Sequence, residues 1–294
     1  MDLLSLRLFL RIADTGGVSS AARDLSLSPA SASARLARLE EAVGFRLFAR
    51  TTRAVTLTTD GRAFLPYAQQ ALETLDTGLG TVRGDGSRVR GLLRMAMPGS
   101  FGRMHIVPLL GEFRARYPQV VLDLRLSDEV VNVVEGAFDL VIRNAPLADS
   151  ALVARKLADD RRLLVAAPAY LERHGTPATP ADLAEHACVS LAGNERWLFA
   201  SGEVVTLAEA LAVNDGEAMR MLLEQGAGIG IKSLWNAKQS LRAGTLVEVL
   251  PDEPLVTDSA IWALHPSGRV VAPKVRAMID FLVASFQPAP PWEV

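Results

Sequence analysis

The sequence predicts an α/β protein in which a small helical domain closed by a hairpin is followed by a long helix and then by two α/β subdomains. Three observations carry this. Residues 3 to 57 show helical periodicity broken by capping residues and end in a β-prone run. Residues 59 to 82 keep one apolar stripe at helical spacing, and from residue 91 strand and helix patterns alternate.

In the first segment, Leu6, Phe9, Ile12 and Ala13 form the buried stripe of a helix that ends at Gly16-Gly17, where a left-handed C-cap is expected. A second, short helix reads from Ser19 as N-cap, through the helix formers Ala21 and Ala22, to Leu25. The turn Ser26-Leu27-Ser28 follows. Ser28 is a further N-cap, and Pro29 takes the first helical position, where its missing N–H is not needed. In this third helix Ala32, Leu36, Leu39 and Val43 share one face. Ala30, Ser33, Ala34 and Arg35 point elsewhere and are small or hydrogen-bonding, a face suited to close approach to base edges. Arg46, Arg50 and Arg53 then flank Ala54-Val55-Thr56-Leu57, the expected hairpin of a winged helix-turn-helix whose wing meets phosphates or the minor groove.

This segment closely resembles the N-terminal domain of the LysR-type transcriptional regulators. The matching residues are Ala21-Ala22, Leu25, Ser28-Pro29, Ser33, Leu39-Glu40, Gly44, Arg46-Leu47-Phe48, Arg50, and Leu57-Thr58 followed by Gly61. Many members carry a basic or bulky polar residue after the recognition-helix serine; here Ala34 stands there, with Arg35 next. The resemblance implies DNA contacts from Ser28, Pro29, Ala30, Ser33, Ala34, Arg35, Arg38, Arg50, Thr51 and Arg53, within a domain spanning residues 1–58.

Charge supports a local nucleic-acid surface. The chain has a formal net charge of −2, yet residues 28 to 53 hold five arginines against Glu40 and Glu41. Lysine is absent before Lys156, so each cationic contact there would be an arginine, with its bidentate geometry. The N-terminus carries Asp2, Arg7 and Arg11 and no cleavage site, and no apolar run approaches the about 20 residues of a membrane span. A cytoplasmic location is expected. The single cysteine, Cys188, excludes an internal disulfide and a cysteine-rich metal cage; a buried inert thiol and a redox sensor both remain open for it.

Thr58 is positioned to cap the long helix, in which Phe64, Ala68, Ala71, Leu75 and Val82 recur beside Leu65, Leu72 and Leu79. Such a stripe needs a partner, either its own domain or another subunit. The helix is expected to end in Gly78-Leu79-Gly80 and to pass through Arg83-Gly84-Asp85-Gly86-Ser87 as a hinge, making residues 59–90 a linker. In the resembling family this is the dimerisation helix, which implies a homodimer or homotetramer on double-stranded promoter DNA of approximate dyad symmetry.

Beyond residue 90, Leu93, Met95 and Met97 alternate as a strand, Pro108 to Arg116 reads as helix, and Val120 to Leu126 alternates again. A helix is expected before Gly136, and a strand at Phe138 to Arg143. A second set covers Leu163 to Ala166, a helix after Asp215, a strand from Gly228 to Lys232 and one at Ile261 to Leu264; Val275 to Phe286 is the last helix. Short crossovers predict parallel sheets covered by helices. The expected effector-binding domain, 91–286, is similar to periplasmic-binding-protein folds: subdomain I at 91–161 and 266–286, subdomain II at 162–265. Residues 287–294 read as a flexible proline-rich tail.

Open α/β sheets bind ligands at the carboxyl ends of their strands, and helix N-termini favour anions. That rule, together with the resemblance, nominates Ser100, Phe101, Ser127, Arg143, Asn144, Asn214, Asp215 and Lys232 as contacts to a small effector between the subdomains, an anion being one reading. Ser100 and Asp215 have a second reading as helix caps, Ser127 as a turn residue and Arg143 as an ion-pair partner. Lys232 replaces an apolar residue of the family pattern and faces either cleft or solvent. The glycines of Gln225 to Gly230 follow a helix and enter a strand, the reverse of a dinucleotide fingerprint. His105, His174, His186 and His265 lack metal-ligand spacing, and neither a nucleophile elbow nor paired carboxylates stand out. A non-enzymatic regulator without a cofactor or metal is expected; an enzyme, or a small-molecule-binding protein without a DNA role, are the alternatives.

Overall fold

The computed structural model describes residues 2–50, 55–83, 89–128, 138–146, 152–191, 196–207, 210–267 and 271–293. The chain divides into two compact units, Met1–Arg88 and Val89–Val294.

In the first unit α1 (Leu3–Thr15) is capped by Asp2, whose side chain accepts from Ser5 N, and closes on Gly16 at φ +66°. α2 (Val18–Asp24) starts from extended Gly17, so Ser19 lies within the helix and is not its cap as the sequence suggested. The reason is local: the chain leaves left-handed Gly16 and re-enters a helix one residue sooner, and Ser20 Oγ donates back to Gly17 O at 2.8 Å. α2 ends in a Schellman turn with Ser26 at φ +55°, where Leu27 N donates to Ala22 O (2.8 Å) and Ser26 N to Arg23 O (3.1 Å). α3 (Pro29–Val43) begins at Ser28, whose hydroxyl accepts from Ser31 N.

Leu6, Phe9, Ile12, Ala32, Leu36 and Leu39 are buried together with Leu8, Ala21 and Ala22, so three short amphipathic helices share one core. β1 (Phe48–Arg50) and β2 (Val55–Leu57) pair antiparallel as the expected hairpin. α4 (Thr59–Arg83) is capped by Thr58 Oγ1, which accepts from Gly61 N at 2.9 Å. A Cβ on Gly61 would lie 2.0 Å from Leu47 O, so only glycine lets this helix cross the strand so closely. Phe64, Leu65, Ala68 and Leu72 pack on the same core, whereas Tyr67, Ala71 and Leu79 are exposed. The helix does not stop at Gly78-Leu79-Gly80 but runs through both glycines to Arg83. A helical glycine costs about 1 kcal/mol relative to alanine, which weakens a helix without ending it. The expected hinge at residues 84–88 lies outside the described residues.

The second unit runs β3 (Gly91–Met97), α5 (Gly99–Phe101), a π turn (Gly102–Ile106), a 3-10 turn (Val107–Leu109), α6 (Leu110–Arg116), β4 (Val120–Leu126), β5 (Leu140–Ala145), β6 (Leu152–Asp159) and β7 (Arg162–Ala166). It continues with α7 (Pro168–His174), β8 (Cys188–Leu191), β9 (Arg196–Leu198), β10 (Val204–Thr206), β11 (Ala210–Val213), α8 (Gly216–Glu224) and β12 (Ile229–Ser233). α9 (Leu234–Ala243), β13 (Val247–Glu248), β14 (Ala260–Pro266) and α10 (Pro273–Ser285) complete it. The helix expected before Gly136 falls outside the described residues.

Two five-stranded sheets result, ordered β4-β3-β5-β14-β6 and β11-β8-β12-β7-β13. β3 pairs parallel with β4 and β5, but β14 pairs antiparallel with β5 and β6, and β12 antiparallel with β7. The sheets are therefore mixed and not purely parallel, because strands that cross between subdomains return in the opposite direction. The same pairing corrects a boundary: β14, including Ile261 to Leu264, belongs to the first sheet, so the second crossing comes before residue 260 and not after 265. The segment after Phe286 is not a loose tail. Trp292 is 3% exposed and packs edge-on against Phe101 and His105 and at a tilt against Phe286, burial that outweighs the proline-rich composition around it.

Candidate DNA interface and effector cleft

On α3 the exposed residues Ala30, Ala34 and Arg38 recur every fourth position, with Ser28 and Pro29 exposed at the N-terminus and Ser33 half-buried alongside. The opposite face is held by Ala32, Leu36 and Leu39. Arg35, at half-burial, points its guanidinium to Asp2, with Nη1 3.2 Å from Oδ2. Glu40 went unassigned by role in the sequence and proves structural: it is 6% exposed, and Oε1 accepts from Leu47 N (2.8 Å) and Phe48 N (3.3 Å), while Oε2 accepts from Arg46 (2.9 Å). It thus holds the start of β1 to α3. Thr51, Arg53 and the side chain of Arg50 lie outside what is described.

In the second unit the nominated residues separate. Ser100, Asp215 and Lys232 converge at the start of α8. Asp215 is its N-cap, accepting from Ala218 N at 2.7 Å. Lys232 is 5% exposed and donates to Gly216 O at 2.6 Å, so its ammonium faces the start of α8 and not solvent. A Cβ placed on Gly216 would lie 3.1 Å from Ser100 Oγ, 3.8 Å from Asp128 Oδ2 and 3.9 Å from Lys232 Nζ. Asp128, not nominated from sequence, bridges the subdomains: Gly99 N donates to Oδ1 at 2.5 Å and Gly216 N to Oδ2 at 2.9 Å. Burial pushes the Lys232 amine down to about 8, and the carboxylates of Glu217, Asp128 and Asp215 oppose that fall.

Phe101 is fully buried, with Trp235, His105, Phe286 and Trp292 around its ring, so its side chain belongs to the core and not to a cleft wall. Asn144 takes part in a polar cluster at the crossing strands. With its amide nitrogen turned to Asp160 it donates to Asp160 Oδ2 (2.8 Å) and Ser259 Oγ (3.0 Å) and accepts from Trp235 Nε1 (3.1 Å). Asp160 in turn accepts from Arg162 Nε at 3.0 Å. Ser127 is half-buried at the end of β4, with its N–H on Met97 O; Arg143 is half-buried on β5, opposite Trp262; Asn214 is exposed.

A cavity of about 190 Å³ adjoins Ser100 and is lined further by Arg103, Met104, Glu217, Arg220, Asn236, Gln239 and Ser240. Arg220 is held by Glu217 and by Glu224 (2.6 Å), and its guanidinium keeps the Glu217 carboxyl below the usual carboxylate range. These lining residues come from three separated stretches, and charge or polarity alone did not single them out. Cys188 is buried and its thiol is raised to about 11, the inert alternative for this residue. Among the described residues no group of His, Cys, Asp and Glu is placed to hold a metal, and no helix is long and apolar enough to cross a membrane.

Comparison with known proteins agrees with this division. Residues 3–62 match the bacterial regulatory helix-turn-helix model of the lysR family, and residues 86–287 the LysR substrate binding domain. The chain is 33% identical over 288 residues to the probable HTH-type transcriptional regulator LtrA of Klebsiella pneumoniae, covering 95% of this chain and 93% of that protein. Among solved structures it is similar to CrgA, a LysR-type transcriptional regulator from Neisseria meningitidis, with a TM-score of 0.63 and 28% identity over 98% of this chain and 99% of that one. It is also similar to full-length AphB, the Vibrio cholerae virulence activator, with a TM-score of 0.57 and 26% identity over 97% and 99%. Such relatives are named as regulators and not as enzymes, and with both halves of the chain matched by the family's two domain models, this protein belongs to the LysR family of transcriptional regulators.

Proposed function

We propose that this regulator acts in the cytoplasm, reading double-stranded promoter DNA of approximate dyad symmetry as a homodimer or homotetramer and changing its DNA contacts when a small effector binds between the two α/β subdomains. The observation that carries the DNA reading is the exposed face of α3. Small residues at 30, 33 and 34 leave room for base edges, Arg38 stands at its far end, and Glu40 ties the wing alongside. Ser28, Pro29, Ala30, Ser33, Ala34, Arg35 and Arg38 serve base or phosphate contact, with Arg50, Thr51 and Arg53 on the wing. Residues 1–58 read DNA and residues 59–90 pair the subunits, a role supported by Tyr67 and Leu79, which are 58% and 42% exposed on α4. The ligand enters where Ser100, Asp215 and Lys232 meet, with Ser127, Arg143 and Asn214 more distant contributors. For the effector to act, it must bind one arrangement of the assembly better than the other.

The test is capture of genomic fragments by the purified protein at fixed salt, followed by sequencing. A few peaks sharing an interrupted dyad are expected. Retention no better than for random fragments, with or without candidate metabolites, overturns the assignment.

A further inference from the structure

The start of α8 has the features of an anion site that is already filled. Gly216 N is the first free N–H of a nine-residue helix, where the backbone dipoles present a positive end. Gly99 N converges on the same place from the other subdomain, and both donate to one carboxylate, that of Asp128. The Lys232 ammonium is buried against the same turn. Two further polar side chains line the cavity beside this turn. Ser100 is 3% exposed, and its hydroxyl lies against Gly216, 3.1 Å from where a Cβ there would stand. Asn236 is 1% exposed; its Nδ2 faces Met104 Sδ at 3.7 Å, while its Oδ1 has no partner among the described residues.

A buried amide oxygen left unpaired costs on the order of a hydrogen bond, and a polar side chain in that state ordinarily serves a ligand or water. Ser100 and Asn236 both line the 190 Å³ cavity that opens beside the seat, whose wall also carries the exposed Arg103. At about 30 Å³ per water-sized group, this cavity takes a molecule of roughly six non-hydrogen atoms.

We propose that Asp128 is a tethered carboxylate seated in an anion site between the subdomains, and that the cleft's ligand is a small carboxylate that enters through the adjoining cavity and takes that seat from it. This rests on the reading of the cleft as the effector site. The incoming carboxylate inherits the N–H groups of Gly99 and Gly216. It accepts from Ser100 Oγ–H, and the remainder of the molecule offers a donor to Asn236 Oδ1. Displacing Asp128 removes the side chain that joins residue 128 of one subdomain to α8 of the other, so exchange of one carboxylate for another alters how the two subdomains are held.

The experiment uses acetate as the probe and the full-length protein. Melting is followed by tryptophan fluorescence, with sodium chloride of equal ionic strength as reference. Asp128→Ala vacates the seat: 50 mM acetate is expected to raise its Tm by about 3 °C, and adding Ser100→Ala to that variant diminishes the rise. Wild type is expected to need at least about tenfold more acetate for the same rise, because the tethered side chain competes at a high effective concentration. Asp128→Asn, which keeps the shape and one acceptor, serves if the alanine variant does not fold, and is expected to fall between the two. Equal acetate dependence in wild type and variant, or no response in either, overturns the proposal. Wild-type retention on promoter fragments, measured without acetate, reports separately on the regulator reading.

Discussion

Lys232 brings an ammonium group into a site where it is 5% exposed, and replacing it by methionine isolates what that charge costs. In the unfolded chain the amine titrates near 10.5; in the folded protein, burial lowers it to about 8 despite the carboxylates of Glu217, Asp128 and Asp215. Between these two values the unfolded state binds more protons than the folded state, so stability rises with pH. Below pH 8 the full penalty of the buried charge is present, and above 10.5 it is gone. The whole interval corresponds to about 3 kcal/mol, and the part between pH 7 and 9.5 to about 2 kcal/mol. Other groups titrate in the same range, so the quantity to measure is the difference between wild type and Lys232→Met. Trp197, Trp235, Trp262 and Trp292 are the four tryptophans of the chain, and all lie in the second unit, so urea denaturation followed by their fluorescence reports on that unit alone. Wild type is expected to gain about 2 kcal/mol relative to the variant between pH 7 and 9.5. A gap that stays constant with pH would mean that the amine is solvated in the folded protein, and the electrostatic account of the cleft would fail.

Glu40→Ala leaves two buried N–H groups, of Leu47 and Phe48, without their acceptor; a loss of about 2 kcal/mol is expected from the first unit, visible as an earlier thermal transition in promoter binding while the tryptophan signal is unchanged. Trp292→Ala removes a ring packed on Phe101, His105 and Phe286, at an expected cost of about 3 kcal/mol to the second unit by urea denaturation; no loss would return the C-terminal segment to a loose tail. Arg53→Ala should weaken binding to all duplexes and flatten its salt dependence, whereas Ser33→Ala should mainly reduce discrimination between specific and random duplexes. Equal losses from both substitutions on both kinds of DNA, measured by fluorescence anisotropy over a salt series, would remove those two roles.

What the sequence by itself determined was whatever depends on near neighbours. Caps at Ser28, Thr58 and Asp215 and the stripe of Leu6, Phe9 and Ile12 were legible, because a cap or a helical face is written within about eight residues. The helix-turn-helix is such a local object, and the exposed face of α3 could be named before any fold was known. Ser19 and the glycines of α4 were misread for the converse reason: a cap or a break inferred from one residue type yields to the geometry of the turn before it or to the helix around it.

Only the tertiary structure decided how distant strands pair and which polar groups meet. β14 joins β5 and β6 across more than a hundred residues, and nothing in its apolar pattern says which sheet it enters. Trp292 found a core that its proline-rich surroundings gave no reason to expect. Asp128 and Gly216 are 88 residues apart, and the carboxylate of one reaches the helix N-terminus of the other only because the crossing strands bring two subdomains face to face. The direction of Lys232 was open for the same reason: alternation along a strand gives two faces, and which of them is covered is decided by the helix packed against it.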